Sequence, residues 1–211
     1  MAAFALSLHE DHLEPSAGVA HPAAPRVLYV REGDIEVSSA GRAHVAAGSA
    51  WHAALPCAVT AGTRGAAVLR FELRPDAGTA GVASALLAHP LTVDPAQRYL
   101  MRCDRVDFDP GGEALPHGHR GGGIRYLLEG ALEVRVGDRP GRLMKPGDAW
   151  FESGVEPVHA VASREIPTSF IRVSLLPREI KGRSSIVYVD PVDAAVKPRR
   201  YTVFVDEPVE L

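Results

Sequence analysis

Two cysteines, Cys57 and Cys103, are all that the 211 residues contain. They make no CxxC pair and no disulfide framework, which excludes a stapled secreted scaffold. Aromatic residues are scarce at 6%, and no run of about 18 apolar residues occurs, so no membrane-spanning helix is expected. Neither sign of charge dominates: 23 Lys and Arg face 26 Asp and Glu, for a net charge of −3. With no dense basic run, a nucleic-acid binder is disfavoured and no membrane-surface patch is read. The opening MAAFALSLHEDHLEP has no basic n-region, and Glu10 and Asp11 cut its apolar run short, so it reads as a poor signal peptide and the protein as cytoplasmic. Helix periodicity is weak throughout; its best candidate, Ala83–Ala88, is stopped by Pro90. What the chain does have is 46% apolar residues with 20 glycines and 17 prolines, the composition of short strands joined by many turns.

The chain also repeats itself. LYVREGDIEV at 28–37 faces YLLEGALEV at 126–134 at an offset of 97, GSAW at 48–51 faces GDAW at 147–150 at 99, and VLRFEL at 68–73 faces FIRVSL at 170–175 at 102. Such drift fits insertions in turns. Alternating apolar residues around Glu32-Gly33-Asp34 and around Glu129-Gly130 predict a hairpin in each copy. Two all-β units follow, over 1–75 and 98–180, with a linker at 76–97. The tail at 181–211 carries two strand-like runs, SSIVYV and RYTVFV, expected to pair near the N-terminus or with a partner chain.

Three histidines carry the chemistry. His117 and His119 lie two apart in PHGHRGGG, so an extended strand points both imidazoles to one face. His159 follows in EPVHAVAS. Neutral imidazoles suit zinc, copper, iron and nickel, and three protein ligands with open positions are the pattern of a catalytic ion.

This stretch resembles the cupin family. Gly112, His117, His119 and Gly130 match its first motif; Pro146-Gly147-Asp148 and His159 match its second, with Ser163 where asparagine often stands. The resemblance implies a bicupin: two tandem jelly-roll barrels of the double-stranded β-helix type, an N-terminal degenerate one and a C-terminal one with a metal site. It implies a divalent transition metal (Fe, Mn, Ni, Cu or Zn) on His117, His119 and His159, a small-molecule ligand, and a homodimer. One departure stands out, because the family's metal-binding glutamate would fall at Gly123.

The first copy acts as an internal control. The offsets put Ala20 and Pro22 opposite His117 and His119, and Cys57 opposite His159, so the first barrel is expected to be metal-free; a site at His21 and Cys57 is the alternative. Arg125 aligns with Leu28 and is expected to point inward, near the Gly123 slot. A buried guanidinium needs a partner: either an anionic substrate, which makes Arg125 a substrate-binding residue, or an internal pair with Glu152. Glu152 is also the nearest candidate for a catalytic base or a supporting carboxylate. Trp51 and Trp150 read as core, His9, His12 and His21 as solvated, and Arg199-Arg200 as a solvated face or a subunit contact.

Two functions follow. One is a metal-dependent enzyme of dioxygenase, lyase or isomerase type acting on a small anionic organic molecule. The other is a non-catalytic, ligand-binding or sensory protein. A third, the metal-free sugar epimerases that share the barrel, needs a histidine–aspartate pair that Asp107, Asp109 and Asp148 do not clearly supply.

Overall fold

A computed structural model describes residues 2–75, 84–196 and 199–211. The chain divides into two units, Met1–Gln97 with Leu211, and Arg98–Glu210. Both are built of strands, and none of their helical turns is long and apolar enough to cross a membrane among the described residues.

The first unit contains β1 (Ala2–Leu13), β2 (Gly18–His21), β3 (Arg26–Ser38), β4 (Arg42–Ala46), β5 (Ala50–Ala53), β6 (Cys57–Pro75) and β7 (Leu87–Val93), joined in one sheet. The long strands β1, β3 and β6 lie side by side, over a core of Leu28, Val30, Ile35, Val37, Val45, Cys57, Val59 and Val68. The expected helix is not seen. Ala83 lies outside the described residues, and the chain from Leu87 onward is β7, which pairs with β1. His89 and Pro90 continue that ladder at the sheet edge, where a proline costs no hydrogen bond.

The second unit is two five-stranded antiparallel sheets facing one another. Its strands are β8 (Tyr99–Phe108), β9 (Glu113–His119), β10 (Gly123–Glu129), β11 (Leu132–Val136), β12 (Arg142–Met144), β13 (Ala149–Glu152), β14 (Val158–Ala162), β15 (Thr168–Pro177), β16 (Ile186–Tyr188) and β17 (Arg199–Val209). One sheet runs β13-β10-β15-β8-β17 and the other β12-β11-β14-β9-β16. Their inner faces interdigitate Val106, Phe108, Leu127, Trp150 and Phe170 with Leu132, Val134, Met144, Val158, Ala160 and Ala162. This is the jelly-roll sandwich, closed by burying one face of each sheet. The tail is part of it: β17 pairs with β8 and β16 with β9, not with the N-terminus.

The repeat is visible bond by bond. Gly48 N–H donates to Val30 O at 2.8 Å and Gly147 N–H to Leu127 O at 3.0 Å, with φ of 77° and 95° at the two glycines.

The Glu-Gly positions are not hairpins. In the second unit β10 pairs with β13 and β15, whereas β11 pairs with β12 and β14, so the chain crosses from one sheet to the other at Gly130. Gly130 has φ of 80°, and a Cβ there would collide with Thr168 and the Pro167 carbonyl. The glycine therefore turns a sheet corner instead of closing a two-strand loop.

Candidate functional site

Cross-strand register assembles the site. On the inner face of the first sheet, one row reads Trp150, Arg125, Arg172, Asp104 and Val203, and the next reads Glu152, Gly123, Ser174, Arg102 and Asp206. From the facing sheet, β9 alternates so that His117 and His119 turn inward, with ring centroids 4.9 Å apart and edge to face. Together with Arg199 and Tyr201 of β17, these residues line an enclosed chamber of about 20 Å³, room for about one water.

Charge in the chamber is organised in pairs. Arg125 is 1% exposed; its Nη2 lies 2.7 Å from Glu152 Oε2, and its Nη1 donates to Gly123 O at 2.6 Å. Trp150 Nε1 donates to Glu152 Oε1 at 2.8 Å. Burial alone would raise the Glu152 pKa, but the Arg125 guanidinium and the bonds from His119 and Trp150 hold it well below the usual carboxylate range. Desolvation pulls Arg125 down to about 10, which leaves it charged at neutral pH. Arg172 is tied to Asp104 at 2.9 and 2.6 Å.

Both imidazoles are neutral at pH 7. Burial lowers His117 to about 4 and His119 to about 3. His117 Nδ1 sits 2.7 Å from Leu115 O, so it carries the proton and Nε2 keeps the lone pair. His119 Nε2 lies 3.4 Å from Glu152 Oε2.

Arg199 is different from the other two arginines. Its Nε donates to Tyr201 Oη, while Nη1 and Nη2 are buried with no hydrogen-bond partner. No carboxylate among the described residues pairs with it. Tyr201 stands between two cations, with the Arg172 and Arg199 guanidinium carbons each 5.8 Å from its ring centroid. The Arg125–Glu152 and Arg172–Asp104 charges cancel, so Arg199 leaves the chamber net positive.

Several expectations change here. His159 does not join His117 and His119. On β14 the residues Val158, Ala160 and Ala162 are buried and His159 faces outward, 2.6 Å from Glu113 Oε1. The cause is register: Ile35 pairs with Ala61 and Val37 with Val59 in the first unit, as Leu132 pairs with Ala162 and Val134 with Ala160 in the second. The offset along this strand is therefore 101, and 102 holds only after the following turn. A slip of one residue exchanges the two faces of a strand, so Val158 is the inward counterpart of Cys57. The same slip applies to the histidine pair: His21 pairs with Cys57 as His117 pairs with Val158.

Of the two partners weighed for Arg125, the structure has Glu152. That pair, with Trp150, engages both Glu152 oxygens. Trp150 is core as expected but also anchors Glu152. His9 is buried and His21 half-buried, with burial lowering both pKa values, so neither is solvated; His12 is exposed. Arg199 is buried and lines the chamber, so it is not part of a solvated face, whereas Arg200 is exposed.

The donor set does not fit the expected three-histidine ion. Among the described residues, no three His, Cys, Asp or Glu side chains are grouped to hold one. Two imidazoles remain, beside a carboxylate already bound by Arg125 and Trp150, and the guanidiniums of Arg125, Arg172 and Arg199 face the same chamber. Gly123 adds nothing, since a Cβ there would collide with Val173 O and Ser174 Oγ. In the first unit the same register position is Arg26, paired with Glu72 at 2.8 Å.

Comparison with known proteins agrees with this architecture. Residues 104–171 match the cupin domain family. A search of curated proteins found no match. Among solved structures, an oxalate decarboxylase from Lactobacillus farciminis, in a formate complex, is similar with a TM-score of 0.68 and 14% identity, over 92% of this chain and 82% of that one. An oxalate decarboxylase from Bacillus subtilis gives 0.68 and 12%, over 91% and 73%. AerE from Microcystis aeruginosa gives 0.57 and 14%, over 83% and 88%. At such identities the likeness is one of fold, and it extends over both units. Residues 104–171 thus match the cupin domain family, and the jelly-roll fold around them is the one these structures share.

Proposed function

We propose that the second unit binds a small organic anion, a carboxylate, in the chamber at Arg199, and that it does so without a divalent ion. The observation that carries this reading is the Arg199 guanidinium, buried with both terminal nitrogens unpartnered at the chamber wall. An unpaired buried charge costs several kcal/mol, and a bidentate carboxylate is the partner whose shape matches that fork. His117 offers its Nε2 lone pair to the same space, as an acceptor for a ligand hydroxyl or a protonated acid. Arg125, Glu152 and Trp150 form the rigid wall behind the ligand. The metal-dependent dioxygenase, lyase or isomerase reading requires His159 as third ligand, and its outward direction counts against that reading. The binding or sensory alternative gains from it.

Titration calorimetry with formate, acetate and oxalate tests the proposal. Arg199→Met removes the unpaired charge, so it is expected to raise stability by about 1–3 kcal/mol in anion-free buffer and to weaken carboxylate binding at least a hundredfold. Unchanged affinity in Arg199→Met refutes the site. Stoichiometric Fe, Mn, Ni, Cu or Zn in purified protein, lost on replacing His117, refutes the metal-free reading.

A further inference from the structure

The chamber is not the only space in the second unit. Outside it lies a pocket of about 310 Å³, walled by the segment 182–186 and by Arg102, Asp104, Arg172, Tyr201, Val203 and Asp206. That volume is at the lower end of those that hold small molecules, about 300–1,000 Å³. Arg172 and Tyr201 line both spaces. The buried charges of this pocket are paired, and the exposed Arg183 adds one positive charge at its rim. Arg102 grips Asp206 at 2.9 and 3.1 Å and donates to the carbonyls of Arg183 at 2.7 Å and Ile180 at 3.1 Å. Arg172 grips Asp104, and Arg183 donates to Glu179 O. Apart from the rim guanidinium of Arg183, what the pocket offers a ligand is uncharged: the Ile186 and Val203 side chains, the Tyr201 ring, and the hydroxyls of Ser184 and Ser185.

We infer that the ligand is bipartite. A carboxylate head sits in the chamber at Arg199, and an uncharged body with apolar surface and a hydroxyl occupies the outer pocket, the two joining at the edge of Tyr201. This rests on the anion reading above and extends it to the substrate class: a hydroxycarboxylic acid with a hydrocarbon or aryl body, larger than the chamber alone could take. Two observations carry it. The chamber has room for about one water-sized group, so it takes the tip of a carboxylate and no more of a ligand, and the adjoining pocket shares its wall and has its buried charges paired.

The experiment compares acetate, a head alone, with mandelate, which carries head, hydroxyl and ring, by calorimetry on the full chain. Mandelate is expected to bind at least tenfold more tightly than acetate. Val203→Trp fills the outer pocket from a half-exposed position; it is expected to remove that gain and leave the acetate Kd within about twofold. Ile186→Trp is the second variant, should the first not fold. Equal affinities for the two acids, or a gain that survives both tryptophans, overturns the bipartite ligand while leaving the anion site standing. Acetate binding that is absent, or indifferent to Arg199→Met, overturns the anion reading and this inference with it.

Discussion

Replacing Arg125 with Met leaves the Glu152 carboxylate buried against Trp150 N–H and His119 with no countercharge. Replacing Glu152 with Gln strands the guanidinium, whose remaining firm bond is to Gly123 O at 2.6 Å. Both residues are nearly inaccessible, at 1% and 6% exposure, so solvent cannot repair either loss. Breaking a buried pair in this way costs about 3–5 kcal/mol. At about 4 °C per kcal/mol for a unit of this size, each single variant is expected to melt roughly 12–20 °C lower. The double variant Arg125→Met with Glu152→Met removes both charges and leaves neutral losses, Trp150 N–H without its acceptor and Gly123 O without the Arg125 donor, a cost of about 1–2 kcal/mol. The signature is strong non-additivity, with a coupling of at least about 3 kcal/mol. The assay is urea unfolding followed by tryptophan fluorescence. The chain has two tryptophans, and Trp51 lies in the first unit and Trp150 in the second, so a Trp51→Phe background reports the second unit alone. A single variant costing under 1 kcal/mol, or a double variant costing the sum of the singles, would refute the view that this pair is the buried anchor of the site.

Acid weakens the two units through different groups. His117 titrates at about 4 when folded against 6.5 for the free side chain, so the unfolded chain takes its proton first. Stability is full above pH 6.5 and declines as pH falls toward 4, by about 3 kcal/mol from this group; His117→Gln is expected to flatten that slope in pH-dependent melts. Glu72 is held at about 2 against 4.5, its burial outweighed by bonds from Arg74 and Arg26. Its contribution is present above pH 4.5 and lost between 4.5 and 2, which Glu72→Gln is expected to abolish. Gly123→Ala forces a Cβ against β15, so it is expected to destabilise the second unit by about 1–3 kcal/mol; a neutral result in the same unfolding assay would contradict the close approach.

Much of this architecture is legible in the sequence because strands obey a period of two. The repeat around Leu28 and Tyr126 points to two units of one kind, and alternation alone turns Arg125 inward, beside Trp150 and near Gly123. The same arithmetic fails where the offset between the copies changes inside a strand. The turn at 163–167 is one residue longer than its counterpart, and carrying its offset back along β14 puts His159 on the wrong face. Sequence cannot say which side of a turn absorbs an insertion; the ladder of Val134 on Ala160 and Leu132 on Ala162 does. Arg199 and Tyr201 escape sequence reasoning for another reason. The tail has no equivalent in the first copy, so nothing within the chain marks its inner face, and a pair of arginines reads as surface until the strand is paired with β8. The Glu-Gly corner misleads because a glycine with positive φ serves a hairpin and a sheet-to-sheet crossing equally well.

Gly123 bears on whether this pocket could be turned into an ion carrier. Its α-carbon lies so near Val173 and Ser174 that no side chain can begin there, and the carbonyl it contributes is held by Arg125. Writing glutamate into that one position would push β10 and β15 apart before any ligand atom reached the interior. An engineer seeking metal chemistry would have to move Ser174, release Arg125 and supply an inward imidazole at Val158, all at the same time. None of those steps is useful alone. The chamber is therefore separated from an ion-binding form by several coupled changes that no single substitution supplies.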